Sequence, residues 1–351
     1  MTTAPLLRVE NLSVHFPITK GALIPRTAGH VRAVDGVDFE IPRNTSYGLV
    51  GESGCGKSTL GRATLRLLEP TTGRVIYDGT DLTALTGRRL RAMRRHVQMV
   101  FQDPMSSLDP RQNIETILLE GLKTHHIGTG QAERHRFVQD ALNAVGLPRN
   151  ALSRYPHEFS GGQRQRIGIA RALIVQPDLI VADEPVSALD VSIQAQILNL
   201  LADLRAERGL TYLVIAHDLA VVRHVSDTVG VMYLGTLVEE AASDDLYATP
   251  LHPYTRALVS AVPVPDPDIE DGRERIILAG DLPSAAAPPP GCRFHTRCPW
   301  ARPTKCRDER PVLRTPQGAA PGHRVACHWA EEIAASPAVP KRETEEVVSG
   351  G

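Results

Sequence analysis

Long apolar runs and an excess of either charge are both missing from this 351-residue sequence. No window approaches the roughly 18 uninterrupted apolar residues of a membrane-spanning helix, and the start lacks the basic and apolar stretches of a signal peptide. We therefore expect a chain that is neither secreted nor membrane-spanning by itself. Lysine and arginine number 39 against 40 aspartate and glutamate. Without a basic surplus to neutralise a phosphate backbone, nucleic acid is not an expected partner.

The sequence does contain enough apolar residues, 42%, to bury a full core in one large or two ordinary domains. Up to about residue 101, short Val-, Ile- and Leu-rich runs alternate with turns and helix-compatible stretches, which is typical of an α/β fold. Between about 103 and 176, helix formers dominate and predict a helical insert. Strand-like runs resume at Leu179–Ala182 and Thr211–Ala216. Both end in polar residues, as strands do at the carboxyl edge of a parallel sheet, where active sites lie.

The composition changes after residue 249, where proline becomes frequent, as in the run Pro283–Pro290. This change predicts a linker or a small appendage. The last residues, 331–351, are predicted to form a disordered tail.

Residues 51–58 match the phosphate-binding pattern G-x-x-x-x-G-K-[ST] and lie between a predicted strand, Ser46–Val50, and a predicted helix, Ser58–Leu68. The glycines allow backbone N–H groups to turn towards phosphate oxygens, and the helix amino terminus adds a favourable dipole. Lys57 would neutralise the β- and γ-phosphates of ATP, and the Ser58 hydroxyl would bind Mg²⁺. The predicted nucleotide contacts in this loop are Gly51, Ser53, Gly54, Cys55, Gly56, Lys57, Ser58 and Thr59.

Two acids, Asp183 and Glu184, follow the strand-like run Leu179–Ala182. If that strand is buried, both carboxylates lie at the sheet edge beside the phosphate loop. Asp183 suits Mg²⁺, through its water shell. Glu184 suits the base that orients and polarises the attacking water, because phosphoryl transfer needs positioning and charge stabilisation. The alternative is an ordinary strand end with solvated acids.

A second candidate anion site begins at Ser160, where a serine hydroxyl and two glycines precede the helix-like stretch 167–174. It resembles the LSGGQ signature of ABC ATPases, with Phe159 where leucine is usual. In that family the signature of one subunit faces the γ-phosphate bound by the other. The resemblance therefore implies that ATP lies between two subunits and that a dimer is required. The implied contacts are Ser160, Gly161, Gly162 and Gln163.

Four further residues stand where ABC ATPases have functional side chains. By this resemblance Gln102 would sense Mg²⁺ and the attacking water and relay that state to the membrane partner. His217 would contact the γ-phosphate, and Asp190 would couple the two sites. Phe16 would stack on adenine, with a core aromatic as the alternative. The implied catalytic set is Glu184, His217 and Gln102, and the implied Mg²⁺ set is Ser58, Gln102 and Asp183.

Over about residues 6–330 the sequence resembles the ATPases of oligopeptide/dipeptide importers. The resemblance rests on the runs Val34–Phe39, Val100–Pro104, Ser107–Arg111 and His252–Thr255, and on Leu60–Arg62, which looks like the F-type member of the paired D and F subunits. It implies an ABC-type ATPase over residues 6–248, with a RecA-like parallel-sheet core, an antiparallel β subdomain and a helical subdomain at about 103–176. A C-terminal importer extension would follow over 249–330.

The resemblance also implies partners and a place in the cell. The chain would power import of dipeptides or oligopeptides with a D-type ATPase subunit, two membrane permeases and an external solute-binding protein. It would lie at the cytoplasmic face of the cell membrane, held there through the permeases. Nickel and glutathione importers share much of the pattern and are alternatives for the solute. A soluble ABC ATPase acting on nucleic acid is a further alternative, which the near-neutral charge and the importer-type extension oppose.

Four of the five cysteines lie in one short, proline-rich stretch: Cys292, Cys298, Cys306 and Cys327. In an apparently cytosolic chain, metal binding explains them better than disulfides do. Residues 291–299 resemble the importer extension that carries an iron–sulfur cluster in some relatives. The spacing lacks the tight C-x-x-C of zinc ribbons, which favours a 4Fe-4S cluster over Zn²⁺, with reduced thiols as the third possibility. We expect this site to be structural and to lie away from the phosphate loop.

Overall fold

We describe a computed structural model of the chain, which covers residues 4–20, 26–187, 189–263, 275–302 and 304–335. The strands in these residues are β1 (Leu7–Lys20), β2 (Arg26–Ile41), β3 (Ser46–Val50), β4 (Thr72–Tyr77), β5 (Thr80–Asp81), β6 (Val97–Val100), β7 (Leu179–Asp183), β8 (Thr211–Ala216), β9 (Thr228–Tyr233), β10 (Thr236–Ala242) and β11 (Arg324–Val325). The helices are α1 (Lys57–Thr64), α2 (Gly87–Met93), α3 (Pro104–Ser107), α4 (Ile114–Thr124), α5 (Gln131–Ala144), α6 (Gly161–Leu173), α7 (Val191–Arg208), α8 (Leu219–Val225), α9 (Ser243–Ala248), α10 (Pro253–Ser260), α11 (Lys305–Asp308) and α12 (Ala330–Ala335).

Within the described residues the strands form two sheets. One is antiparallel, in the order β2-β1-β4-β5, and the other has the order β11-β10-β9-β3-β8-β7-β6. In the second sheet β6, β7, β8, β3 and β9 are parallel neighbours, and β10 and β11 extend it with antiparallel pairs. Parallel strands place their carboxyl ends at one edge. The chain therefore leaves β3, β6, β7 and β8 at the same edge, just before Gly51, Gln102, Glu184 and His217.

The central strands are buried along their whole length. Every residue of β3, β7 and β8 is buried, which explains why their sequences are almost continuously apolar rather than alternating. Successive side chains point to opposite faces of a strand. Ile180 accordingly joins the core on the side of the helical segment, whereas Val181 joins the core shared with the antiparallel sheet. The α/β architecture that the sequence predicts is confirmed.

A helical segment, from α3 to α6, lies between β6 and β7. Asn113 caps α4 by accepting the Thr116 N–H at 2.9 Å, and Ser160 caps α6. Leu118 of α4, Leu142 of α5 and Leu173 of α6 are buried in one core cluster. In the described part of the chain, no helix has both the length and the apolar character needed to cross a membrane.

Two predicted boundaries are wrong. Helix α1 ends at Thr64 rather than Leu68, because Arg66 takes a left-handed conformation with φ 53° and its guanidinium donates to the Leu82 carbonyl at 3.3 Å. Residues 331–335, predicted as part of a disordered tail, belong to α12, where Ile333 is buried. The rest of that predicted tail, 336–351, lies outside the described residues.

The C-terminal extension packs against the seven-stranded sheet. Phe294 is buried and meets the rings of Tyr233 and Tyr254 at centroid distances of 5.2 and 5.5 Å. Strand β11 pairs with β10 and lengthens the sheet by one strand. The fully buried Glu239 of β10 accepts the His252 N–H at 2.9 Å and lies 2.7 Å from the His323 ring. Apolar packing, strand pairing and buried polar contacts together fasten the extension to the sheet.

Candidate nucleotide-binding site

The phosphate loop between β3 and α1 is shaped by its glycines. Gly51 has φ 156° and Gly56 has φ 107°, both in the region that L-residues avoid. A Cβ atom on Gly51 would lie 2.2 Å from the Met232 carbonyl oxygen, and one on Gly56 would lie 2.0 Å from that of Ala33. Only glycine therefore fits at these two positions. The loop is pressed against neighbouring backbone, which fixes the direction of its N–H groups.

Lys57, the first residue of α1, points back into this loop. Its side chain is buried, and Nζ donates to the carbonyl oxygens of Gly51 at 2.7 Å and Glu52 at 3.0 Å. A buried ammonium beside a helix amino terminus is an arrangement that favours a bound anion. Cys55 is buried beneath the loop, and burial raises the pKa of its thiol. This thiol is a neutral filler in the core. The remaining predicted loop contacts, Ser53, Gly54 and Thr59, are exposed or half-buried.

Asp183, at the end of β7, meets the start of α1. The Ser58 hydroxyl donates to Asp183 Oδ1 at 2.7 Å. The other carboxylate oxygen, Oδ2, is buried and has no hydrogen-bond partner among the described residues, and Arg62 lies 4.0 Å away. Burial raises the pKa of Asp183 despite the Ser58 hydrogen bond and the nearby Arg62 charge. A buried carboxylate oxygen without a donor, next to a serine hydroxyl, is suited to a hard cation such as Mg²⁺.

Three predicted catalytic side chains meet at the sheet edge. Gln102 Nε2 donates to Glu184 Oε2 at 2.8 Å, and His217 Nδ1 lies 3.7 Å from the same oxygen. Glu184 adopts a left-handed backbone conformation with φ 46°, and its N–H donates to the Ile215 carbonyl at 2.9 Å. A non-glycine residue in this region is strained by roughly 1 kcal/mol or more. The sheet thus holds Glu184 in a costly conformation next to the phosphate loop.

The signature residues form the start of α6. Ser160 Oγ accepts the Gln163 N–H at 3.4 Å, and Gln163 Oε1 accepts the Ser160 N–H at 3.0 Å, which makes a capping box. Ser160 and Gly161 are exposed. A Cβ atom on Gly162 would lie 2.5 Å from Ile193 Cγ2. Glycine therefore lets the start of α6 approach the start of α7.

Two further predicted residues, Phe16 and Asp190, and the signature's neighbour Phe159 lie elsewhere in the fold. Phe159, where leucine was expected, is buried and lies under the Arg154 guanidinium at 4.5 Å, so it still serves as an apolar anchor. Asp190 is exposed at the amino terminus of α7. Phe16 on β1 is 39% exposed, so its ring is not the core aromatic that was the alternative. Ser58 contacts Asp183, and both Gln102 and His217 contact Glu184. Ser160 and Asp190 lie on other elements.

Sequence reasoning missed a contact between the extension and the phosphate loop. The Tyr254 hydroxyl accepts the Glu52 N–H at 2.7 Å, and Arg297 donates to Glu52 Oε2 at 2.8 Å. Glu52 occupies a variable position of the phosphate-binding pattern, and Arg297 lies 245 residues away, so no sequence signal connects them. Arg297 directly precedes Cys298, so the segment that carries the cysteines does contact the phosphate loop.

The four cysteines of the extension lie near one another. The thiols of Cys292, Cys306 and Cys327 all lie close enough to Cys298 to raise its pKa, Cys292 and Cys306 do the same for Cys327, and Cys306 does so for Cys292. Burial raises the pKa of Cys292 to about 11 and that of Cys327 to about 12, and it also raises the pKa of Cys298. All four are free thiols. In the part of the chain that the structure describes, no three His, Cys, Asp or Glu side chains are arranged to hold a metal ion.

Comparison with known proteins identifies the family. Residues 34–187 match the ABC transporter family, and residues 238–306 match the oligopeptide/dipeptide transporter C-terminal region. The putative oligopeptide transport ATP-binding protein YkfD of Bacillus subtilis is 55% identical, over 93% of this chain and 96% of its own length. The oligopeptide transport ATP-binding protein OppF of Escherichia coli is 51% identical, over 92% of this chain and 95% of its own.

Two solved structures of ABC-type ATP-binding proteins resemble this chain in fold. The ATP-binding cassette MJ0796, as a dimer in a post-hydrolysis state with ADP and Pi, superposes with a TM-score of 0.59 at 29% identity, over 68% of this chain and 98% of its own. The cbiO1 protein of Clostridium perfringens, part of the ABC transporter complex cbiONQ, gives a TM-score of 0.60 at 25% identity, over 70% of this chain and 92% of its own. The chain therefore belongs to the ATP-binding proteins of oligopeptide and dipeptide ABC transporters.

Proposed function

We propose that this chain hydrolyses ATP to power import of dipeptides or oligopeptides, as one half of an ATP-sandwich dimer in an ABC transporter. One observation carries the proposal: the buried Lys57 of the phosphate loop lies at the same sheet edge as Asp183, Glu184 and His217. The relatives named above, which are oligopeptide transport ATP-binding proteins, support the choice of solute. Nickel and glutathione are the alternatives, and none of these relatives' names favours them.

Nucleotide binding is assigned to the phosphate loop and to Phe16. The loop N–H groups and Lys57 bind the phosphates, and the exposed ring of Phe16 stacks on adenine. Ser58 and Asp183 fit Mg²⁺, because Asp183 Oδ2 is buried without a hydrogen-bond donor among the described residues. Gln102 completes the proposed Mg²⁺ set. The ion supplies positive charge that neutralises the phosphate oxygens during hydrolysis.

Glu184 is the proposed base. Its carboxylate accepts a proton from the attacking water and orients that water towards the γ-phosphate. Gln102 holds Glu184 Oε2 from one side at 2.8 Å. His217, whose side chain is 56% exposed, is free to reach the γ-phosphate. Hydrolysis here depends on the alignment of these three side chains, because phosphoryl transfer needs little covalent help from protein.

The second half of each ATP site comes from another subunit. Ser160 and Gly161 are exposed at the amino terminus of α6, a thirteen-residue helix, and so can meet a nucleotide bound by a facing cassette. The dimeric state of MJ0796 supports this arrangement. We assign the facing cassette to a D-type ATPase subunit, with Asp190 coupling the two sites. Nucleic acid has no part in this assembly.

The permeases are proposed to bind at a groove between β6 and α6. Leu67 and Phe101 line it and are 45% and 37% exposed. Gln165 also lines it, and its side-chain nitrogen is buried without a hydrogen-bond partner among the described residues. Phe101 directly precedes Gln102, so a permease segment in this groove would act on the amide that holds Glu184. Two permeases would keep the chain at the cytoplasmic face of the membrane and connect it to an external solute-binding protein.

The four cysteines are proposed to hold a 4Fe-4S cluster, with Zn²⁺ as the alternative. Support comes from four soft donors close together in a segment with little apolar core of its own. A single Zn²⁺ needs ligands that converge on one point, whereas a four-iron cluster takes one thiolate on each iron. A bound cluster would cross-link the segment and add to its folding free energy.

Iron and zinc analysis of anaerobically purified protein tests this assignment. We expect about four irons per chain with broad visible absorption, and loss of both in Cys298→Ser. Stoichiometric zinc without iron would show that the site binds Zn²⁺ and not a cluster. The absence of both metals, with four titratable thiols, would reject metal binding.

Transport in reconstituted vesicles tests the proposed function. The chain, its D-type partner, the permeases and the solute-binding protein should import a labelled peptide only when ATP is present. Lys57→Ala should abolish both ATP hydrolysis and import, because it removes the ammonium that holds the phosphates. Competition with unlabelled nickel and glutathione distinguishes the solutes. Import of either one in place of peptide would overturn the peptide assignment.

A further inference from the structure

We propose that the C-terminal extension positions the phosphate loop, with Arg297 and Tyr254 acting as positioning residues through Glu52. The inference rests on the proposed binding of ATP by this loop. It adds a regulatory property to the same site: the loop reaches its binding conformation only when the extension is folded against it.

The first contact is an ion pair. Arg297 donates to Glu52 Oε2 at 2.8 Å, and the two side chains are only 9% and 29% exposed. A pair at this degree of burial is less screened by solvent than an ordinary surface salt bridge. Hydrogen bonds between charged groups are also stronger than neutral ones. Arg297 therefore holds the Glu52 side chain in one place.

The second contact acts on the loop backbone. Tyr254 is fully buried, and its hydroxyl accepts the Glu52 N–H at 2.7 Å. This bond fixes the peptide unit between Gly51 and Glu52. Lys57 Nζ donates to the carbonyl oxygens of the same two residues, at 2.7 and 3.0 Å. A shift of Glu52 would therefore move the oxygens that hold the phosphate-binding ammonium.

A third contact supports the loop from below. Arg293 donates to the Leu234 carbonyl, in the turn between β9 and β10, and to Asp35 on β2. The next residue in that turn, Gly235, donates its N–H to the Cys55 carbonyl of the loop at 2.8 Å. The extension thus contacts both the loop and the turn on which the loop rests.

Both arginines come from one short segment. Arg293 and Arg297 lie between Cys292 and Cys298, and Phe294 anchors the same segment against Tyr233. The Cys292 N–H donates to the Cys306 carbonyl at 2.8 Å. Whatever orders the cysteine segment therefore also places the two arginines. Disorder in this segment would reach the nucleotide site through Glu52, although the four cysteines of the extension are not among the proposed nucleotide contacts.

Equilibrium binding of a fluorescent ATP analogue to the full chain tests the proposal. Tyr254→Phe removes one hydroxyl and keeps the ring, and Arg297→Gln removes the charge. We expect each to weaken binding by about tenfold, the equivalent of about 1.4 kcal/mol. Turnover of the assembled transporter at saturating ATP should fall much less, because the contacts to water and the γ-phosphate remain. The KM for ATP should accordingly rise more than kcat falls.

Matched controls separate positioning from general damage. Tyr212→Phe removes a buried hydroxyl that has no hydrogen-bond partner in the described part of the chain. Arg314→Gln breaks a bidentate pair with Glu331, at 2.6 and 2.9 Å, inside the extension. Neither should change ATP affinity. Equal losses in the control variants would overturn the proposal and show that any disturbance of the protein weakens binding.

A double-variant cycle identifies the path through Glu52. If Arg297 acts through this residue, Glu52→Gln combined with Arg297→Gln should lose no more affinity than the weaker-binding single variant. Additive losses would overturn that path. Should Arg297→Gln fail to fold, Tyr254→Phe decides, and wild-type affinity in this variant rejects the proposal. Lys57→Ala separately tests whether this loop binds ATP. Wild-type affinity in Lys57→Ala would refute the proposed function itself.

Discussion

Individual residues at the sheet edge carry the proposed chemistry. The role of Glu184 as the base can be tested by a single substitution. Replacement by Gln keeps the shape and the backbone but removes the charge that polarises water. We expect Glu184→Gln to retain ATP binding and to lower hydrolysis by the assembled transporter at least about 100-fold. Phosphate release measures the loss, and size-exclusion chromatography with ATP should show an accumulated dimer. Glu207→Gln, at an exposed position of α7, is the control. Undiminished turnover in Glu184→Gln would remove Glu184 from the base role.

Single residues also show what sequence reasoning can and cannot find. Lys57 and Asp183 were predictable, because phosphate binding and cation binding demand particular residue types after buried strands. Glu52 and Arg297 were not, because neither position is fixed by the chemistry and their contact depends on how the extension folds back. Close packing also cannot be predicted from the sequence. Position 162 requires glycine only because the side chain of Ile193 lies nearby.

At the scale of elements, burial made strands predictable. Strands β3, β7 and β8 are apolar along their length because both faces are covered. The end of α1 was not predictable, since it depends on a left-handed turn at Arg66 held by contacts with Leu82 and Thr83. The short strand β11 was also unpredictable. It spans two residues and pairs with β10, about 84 positions earlier.

Replacing two glycines of α6 by alanine should change the free energy of unfolding in opposite directions, because only one of them packs against α7. Gly162→Ala places a Cβ atom 2.5 Å from Ile193 Cγ2. We expect it to lower the free energy of unfolding by about 1–3 kcal/mol, because Ile193 or the helix must shift. Gly168→Ala meets nothing within 4 Å and should raise the free energy of unfolding by up to about 1 kcal/mol through helix propensity. Denaturant unfolding measures both. Equal effects in the two variants would contradict the packing argument.

The start of α10 should make stability depend on pH. His252 is fully buried, and burial lowers its pKa from 6.5 to about 3. Its neighbours include the Glu239 carboxylate, which accepts the His252 N–H, and the Phe294 ring. Below about pH 6.5 the unfolded chain binds a proton that the folded chain does not bind, so stability falls as the pH falls.

His252→Asn tests this dependence. Asn can still cap the helix but does not titrate. From pH 7 to pH 5 the wild-type protein should lose about 2 kcal/mol more free energy of unfolding than this variant loses. His224→Asn, at an exposed position of α8, should behave as the wild type does. Parallel pH profiles for the wild type and His252→Asn would show that His252 is not kept neutral in the folded protein.

At the scale of the whole molecule, one chain supplies halves of two different ATP sites. Ser160→Arg should leave binding of the ATP analogue to the isolated chain unchanged, because its own phosphate loop is intact. The same variant should abolish hydrolysis at the site whose ATP the facing subunit binds, since the larger, charged side chain blocks the signature. Lys57→Ala should instead abolish binding to the isolated chain. Full hydrolysis by a demonstrably monomeric sample would contradict the composite site.

The whole molecule also differs from the plan that its sequence suggests. Changes in composition divide the chain into a cassette and an appendage, and they give no sign that the two parts share contacts. In the structure, Glu239 and Glu52 of the cassette are held by residues of the extension. Such contacts between distant segments depend on the complete fold, and no local sequence pattern predicts them.

The left-handed backbone of Glu184 has a consequence for engineering. Asparagine adopts that conformation with less strain, so Glu184→Asn would stabilise the folded chain by up to about 1 kcal/mol. A laboratory selection for heat resistance alone would therefore enrich variants that have lost the glutamate, and with it the proposed base. Selection for heat resistance and selection for turnover pull in opposite directions at this position. A screen that aims to stabilise the transporter must couple every round of heating to a measurement of uptake.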